Sequence, residues 1–193
     1  MMETKQLAVP AGLFILFVGL LILFFSGGGE KIQEPLSHES ETSAETPETP
    51  RETRVVTLFF LSEEDTRLHS EEREIWADAS ELFQVRQTLK ELLNGSQEGG
   101  LSPFPHGTEL REIYITEQGI AYVDFSRELG SEHPSGSAAE IATVFSIVNS
   151  LTYNFESIKR VFILVNGSER ETLAGHIDLR RPFLPRFDLI DGN

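Results

Sequence analysis

Val55-Val56-Thr57-Leu58-Phe59-Phe60-Leu61 is the stretch that opens the folded part of this chain. Its β-branched, aliphatic and aromatic residues run without a charge and stop at Ser62-Glu63-Glu64-Asp65. A run this short and this apolar reads as a buried strand. Downstream, Glu74-Ile75-Trp76 offers a short second strand. Leu82, Val85, Leu89, Leu92 and Leu93 then fall on one face of a helix over 79–94. Asp78 with Glu81 three residues later supplies a start for it, and Asn94-Gly95 a left-handed stop.

A glycine- and proline-rich connection, 99–107, leads to two strand patterns, Glu112 to Thr116 and Gly119 to Phe125. Glu117-Gln118 between them makes a hairpin. In its second arm Ala121, Val123 and Phe125 share one face, while Tyr122 and Asp124 share the other. Ser137 with Glu140 reads as a capping box for a second helix, whose apolar stripe is Ile141, Val144, Phe145, Val148 and Leu151. Ile158 to Val165 is another strand, closed by Asn166-Gly167. A last short strand is expected around Leu173 to Leu179, before Arg180-Arg181-Pro182. The expected fold class is α+β, a small two-layer sandwich over 54–182. In it one mixed or antiparallel sheet carries both helices on a single face, and residues 183–193 form a C-terminal tail.

Upstream the composition changes twice. Residues 26–53 hold seven glutamates against Lys31 and Arg51, with little to bury. Such a segment cannot offset its own ordering entropy and is expected to be a disordered, extended spacer. Leu7 to Phe25 contains no charged residue. At a rise of about 1.5 Å per residue its nineteen residues span about 28 Å, near the ~30 Å hydrocarbon core. Residues 1–25 are therefore expected to be a transmembrane anchor touching the lipid bilayer through Leu7 to Phe25. A cleaved secretory signal competes, because Ser26-Gly27-Gly28-Gly29 follows the run. Against it, the run exceeds the usual apolar length of such signals and carries no Ala-x-Ala site. Lys5 before the run orients the chain with its C-terminal domain outside the cytoplasm. The expected location is the cytoplasmic (inner) membrane, crossed once.

With 16 Lys and Arg against 31 Asp and Glu, the formal net charge is −15. Nucleic acid is not an expected partner, since phosphate binding draws on clustered cations. There is no cysteine, so disulfides, thiol catalysis, thiolate metal sites and a lipid-bearing cysteine are not expected. His38, His69, His106, His133 and His176 fall into no metal-ligand pattern, and no metal or cofactor is expected. No Gly-x-Gly-x-x-Gly or Walker-type loop is present. Asn94-Gly95-Ser96 and Asn166-Gly167-Ser168 match the glycosylation triplet but read as turns. One set of residues carries a sharper alternative. Ser126 near Asp124, with His176 and Asp178, could furnish a Ser-His-Asp hydrolase, although no nucleophile elbow surrounds the serine. The blander reading, strand-end residues bonding turn amides, is preferred, so no catalytic residue is assigned. The stretch Arg180 to Arg186 is the single basic cluster; it could grip a partner or lay Phe183, Leu184 and Phe187 over an open sheet edge.

Seven segments in order give the ordered region a family resemblance. They are 56–60, 89–95, Pro105-His106-Gly107-Thr108-Glu109-Leu110, Ala121 to Ser126, 147–152, Val161 to Gly167 and Gly175-His176-Ile177-Asp178-Leu179. Over residues 55–182 the chain resembles the GerMN domain of bacterial sporulation and spore-germination proteins. The resemblance implies a compact α+β domain, similar in topology to ring-building motifs, an envelope location and no known catalytic site. Here the domain occurs once, where the germination proteins carry two. The expected function is a membrane-anchored scaffold or protein-interaction module in an envelope assembly, binding unidentified envelope proteins or itself. The alternative is an envelope hydrolase, or a receptor for cell-wall fragments.

Overall fold

A computed structural model describes residues 52–63, 66–134 and 136–191. The expected anchor at 1–25 and the spacer up to residue 51 lie outside the described residues. Among the described residues no helix is long and apolar enough to cross a membrane. In chain order the elements are β1 (Thr53–Leu61), β2 (Leu68–Trp76), α1 (Glu81–Asn94), β3 (Leu110–Ile115) and β4 (Ile120–Phe125). There follow the single-turn α2 (Glu128–Ser131), α3 (Ser137–Asn154), β5 (Arg160–Val165) and a 3-10 turn at Phe187–Leu189.

The strands form two sheets. β1 and β2 pair antiparallel, from Thr53 opposite Trp76 to Leu61 opposite Leu68. β3 and β4 form the expected hairpin, and β5 joins β4 in parallel. A parallel neighbour needs a crossover, which α3 supplies. One apolar core unites the layers: Val56, Leu58 and Phe60 of β1, Val123 and Phe125 of β4, and Ile163 of β5 meet Val85 and Leu89 of α1 and Val144, Ile147 and Leu151 of α3. Each such side chain contributes about 1.5–3 kcal/mol when fully buried.

The expectation of one continuous sheet is corrected, and α3 is the reason. The Asn154 carboxamide accepts from the Thr57 N–H at 2.9 Å and donates to the Thr57 carbonyl at 2.6 Å, as a neighbouring strand would. Ser150 Oγ accepts from the Phe59 N–H at 3.1 Å, and the Leu101 N–H donates to the Leu61 carbonyl at 2.9 Å. The far edge of β1 is thus closed by helix side chains and a loop, and no second-sheet strand has a place there.

Four local expectations are corrected as well. The second strand starts at Leu68, six residues before Glu74, because the charged Glu71 and Arg73 on its inner face bond each other at 2.5 Å. Helix α1 is capped by Ser80, whose hydroxyl accepts from the Phe83 N–H, while Asp78 accepts from the Ser80 N–H. In α3 Ser137 is the first helical residue, Gly136 takes the cap position without a side-chain bond, and Glu140 turns elsewhere. The segment from Leu173 to Leu179 is no strand but a loop closed by a single bridge between Thr172 and Asp178.

The C-terminal segment folds back onto both sheets. Phe183 exchanges two backbone bonds with Val161, at 2.8 and 3.0 Å, which covers the open edge of β5. Leu184, expected to cover it too, is 64% exposed. Further on, the Asp191 N–H donates to the Leu68 carbonyl at 2.7 Å.

Candidate functional site

Three carboxylates are buried, and each grips a turn. Glu71, 1% exposed, projects from β2 into the loop after α1. It accepts from the Ser96 hydroxyl, from the Gln97 N–H at 3.0 Å and from Arg73 Nη2 at 2.5 Å, and pairs with His69 Nε2 at 3.2 Å. Burial pushes its pKa up, but the hydrogen bonds from Ser96, Gln97, Arg73 and His69 outweigh it and bring the pKa down to about 2. Ser96 is itself fixed, because its hydroxyl also accepts from the Gly100 N–H at 2.6 Å.

Glu140 is fully buried on α3. Its carboxylate takes the backbone N–H groups of His176, at 3.1 and 3.2 Å, and Ile177, at 2.9 Å, and pairs with His176 Nδ1 at 2.7 Å. Burial again works against the anion, and the N–H groups of Ile177, Ala174 and His176 with the His176 ring hold its pKa below the ordinary range. Asp124, on the β4 face away from the core, accepts from the Gly167 N–H at 2.8 Å and from Arg111 Nε at 2.9 Å. Arg111 also reaches Asn166 Oδ1 at 3.2 Å. The Asn166-Gly167 turn is therefore pinned from β4 in the left-handed conformation, with φ of 54° and 73°.

A carboxylate has about four lone-pair sites. Glu71 and Glu140 each spend four of them on donors and keep none for a substrate proton.

The hydrolase candidates are each bonded to other groups. Ser126 Oγ accepts from the Glu109 N–H at 3.0 Å and shares a hydrogen bond with Glu128, which Arg127 first and Ser126 second hold at a pKa of about 2. His176, its side chain 47% exposed, has Glu140 as partner. Asp178 is tied to Arg180 through two bonds of 2.9 Å, which with the Arg180 N–H bring its pKa to about 2. Among the described residues no hydrogen bond joins Ser126, His176 and Asp178. Of the remaining described histidines, His133 sits between the Pro134 carbonyl at 2.7 Å and Thr143 Oγ1 at 2.8 Å. His106 lines a hollow of about 340 Å³ with Phe104 and Thr108. No group of three or more His, Cys, Asp or Glu among the described residues is arranged to hold a metal ion.

Sequence reasoning missed Glu71 and Glu140 as organising residues. A signal was there for each. Glu71 and Arg73 alternate on one face of the strand, and Glu140 lies four and seven residues before Val144 and Ile147, on the buried stripe itself.

The surface carries a different kind of feature. On the face of the second sheet turned from the core, Tyr114 stands opposite Tyr122, which lies beside Phe162 in the parallel register. Tyr122 and Phe162 stack at 5.2 Å, and Tyr114 is 66% exposed. The row crosses all three strands.

Two sheets around one apolar core, with buried carboxylates spent on turns, define a small mixed α+β domain. A family model described as Germane, sporulation and spore germination, matches residues 57–171, more than half of the chain, and the chain belongs to that family. The first GerMN domain of the sporulation protein GerM from Bacillus subtilis matches at 23% identity and a TM-score of 0.52, covering 70% of this chain and 99% of its own. The tandem GerMN domains of the same protein match at 24% identity and a TM-score of 0.53, over 71% of this chain and 48% of theirs. One copy here thus spans about half of the tandem. A Clostridium perfringens chain assigned as a lipoprotein matches at 25% identity over 73% of this chain and 95% of its own, with a TM-score of 0.49. No curated protein sequence matches the chain.

Proposed function

We propose that this chain is an extracytoplasmic protein-interaction module of a bacterial envelope assembly, of the sporulation and germination type. It is held at the cytoplasmic membrane by a single span through Leu7 to Phe25 and given reach by the acidic spacer. Its partners are the lipid bilayer, other envelope proteins and, where domains cluster, further copies of itself. The observation that carries this reading is that the buried carboxylates are committed to structure, with the lone pairs of Glu71 and Glu140 filled and Asp124 bonded to the Gly167 N–H and Arg111. Groups that would serve as acids or bases in an enzyme are spent on loop amides, while Tyr114 and Leu184 stand largely exposed. Catalysis needs a group with a pKa and a free lone pair suited to proton transfer, whereas recognition needs shape and exposed apolar surface.

A hydrolase or cell-wall receptor has one observation in its favour: the half-exposed His176 imidazole is oriented by a buried carboxylate, as a general base often is. Two substitutions separate the readings. In an interaction module Ser126→Ala and His176→Ala leave complex formation in native membranes intact. In an enzyme either change abolishes turnover of cell-wall fragments by the full chain, and detecting such turnover ends the interaction reading.

A further inference from the structure

In the β1–β2 ladder the odd-numbered residues of β2 turn their backbone polar groups toward β1. The even-numbered ones turn theirs away. This outward edge is closed at both ends. The Gln87 carboxamide accepts from the Trp76 N–H at 3.1 Å and donates to its carbonyl at 3.2 Å, and Asp191 closes the Leu68 carbonyl. Between them, Arg73 Nη1 donates to the Glu72 carbonyl at 2.9 Å. The N–H groups of Ser70, Glu72 and Glu74 and the carbonyls of Ser70 and Glu74 have no partner among the described residues, and all three residues are exposed. Of the two edges of this sheet, the β1 edge is closed at Thr57, Phe59 and Leu61, while the β2 edge is open at Ser70, at Glu74 and at the Glu72 N–H.

We propose that Ser70 to Glu74 is a docking edge for an extended, basic peptide segment of another protein, added as a third strand beside β2. The inference rests on the interaction-module reading above and names the surface and the partner's chemistry. The open amides supply the backbone ladder of strand addition. The side chains of an added strand stand about 4.5–5.5 Å from those they face, so cationic residues opposite Glu72 and Glu74 are favoured and acidic ones disfavoured. Glu74 and Glu91 line a hollow of about 260 Å³ at one end of the edge, which places two carboxylates beside it. The acidic chain as a whole draws cationic segments toward it.

A second copy is the wrong occupant. Antiparallel pairing of two β2 edges about Glu72 sets Glu72 against Glu72, and in-register parallel pairing sets both glutamates against their own copies. Like charges so placed are destabilising. Carboxylates on an edge also deter aggregation, but the usual steric blocks, proline or a bulge, are missing from β2, whose register runs unbroken. The edge excludes acidic strands and its own copies and leaves the backbone open to basic ones.

The test uses the full chain and three labelled peptides: alternating lysine and valine, alternating glutamate and valine, and the lysine peptide N-methylated on the residues that would face β2. Glu72→Pro removes an outward N–H without touching one bonded to β1, and edge strands tolerate proline. Glu72→Lys with Glu74→Lys keeps the backbone and reverses the charge, so the test stands even where the proline variant fails to fold. Expected is binding of the lysine peptide alone, weakened at least tenfold by N-methylation, by Glu72→Pro and by the double lysine variant. Equal binding of the N-methylated peptide reduces the effect to charge attraction and overturns the proposal. So does absence of binding to the lysine peptide, or self-association of the chain that Glu72→Pro abolishes. If the peptides fail while cross-links to an envelope protein persist in native membranes, the edge assignment falls alone; if those cross-links are absent too, the interaction reading falls with it.

Discussion

Glu71 shows how one residue organises its surroundings. Its carboxylate fixes Ser96 and Gln97 beyond α1 and neutralises Arg73 inside the sheet. Glu71→Gln leaves Arg73 buried beside a neutral amide, and removing one partner of a buried pair costs about 3–5 kcal/mol. Chemical denaturation of the variant measures this loss. A pH dependence follows with a definite sign. The folded Glu71 titrates at about 2 against an ordinary value of 4.5, so below about pH 5 the unfolded chain binds the proton that the folded one refuses. Stability is full above that range and falls as pH drops toward about 2. In Glu71→Gln this slope is shallower, which melting temperatures between those limits report. Gly119 makes the second residue-scale case. Its φ is +75°, and an added Cβ would lie 2.7 Å from the Ser157 carbonyl oxygen. Gly119→Ala is expected to cost at least the ~1–2 kcal/mol of a left-handed non-glycine residue, seen as a lowered melting temperature.

At the scale of the element, closure of the β1 edge by α3 is what separates the two sheets. Asn154→Ala removes both bonds to half-buried Thr57, each with the ~0.5–1.5 kcal/mol net contribution of an ordinary hydrogen bond. Hydrogen exchange at the Thr57 amide should accelerate well before that of the core strands. The elements with strong apolar periodicity were legible: β1, α1, the β3–β4 hairpin, α3 and β5 are where the sequence puts them. β2 was legible only at its end, Glu74 to Trp76, since Ser70-Glu71-Glu72-Arg73 before it puts charges on the inner face and reads as polar throughout. Sheet division was hidden for a related reason. Asn154 and Ser150 look like ordinary polar helix residues, and nothing local says that they face a strand edge. The candidate site was the least legible, because Ser126, His176 and Asp178 were read by residue type: Glu128 and Arg180 lie two residues from Ser126 and Asp178 and were within reach of a sequence reading, whereas Glu109 beside Ser126 and Glu140 beside His176 are brought there by tertiary packing.

For the whole molecule, family membership and the fold agree on a GerMN-type domain, and the proposed anchor and spacer give it a place. If residues 7–25 remain in the bilayer, intact-mass measurement of membrane-extracted protein will retain residues 1–28, and a C-terminal tag will be cleaved by protease added to spheroplasts. A mature species trimmed near Gly28 would point to a secreted module instead. The most direct trial of an interaction role is cross-linking in native membranes read by mass spectrometry, with the Ser126→Ala/His176→Ala chain beside the unaltered one. An interaction module yields the same envelope partner from both, in equal amounts. A partner lost in the double variant, or none captured by the unaltered chain, contradicts it.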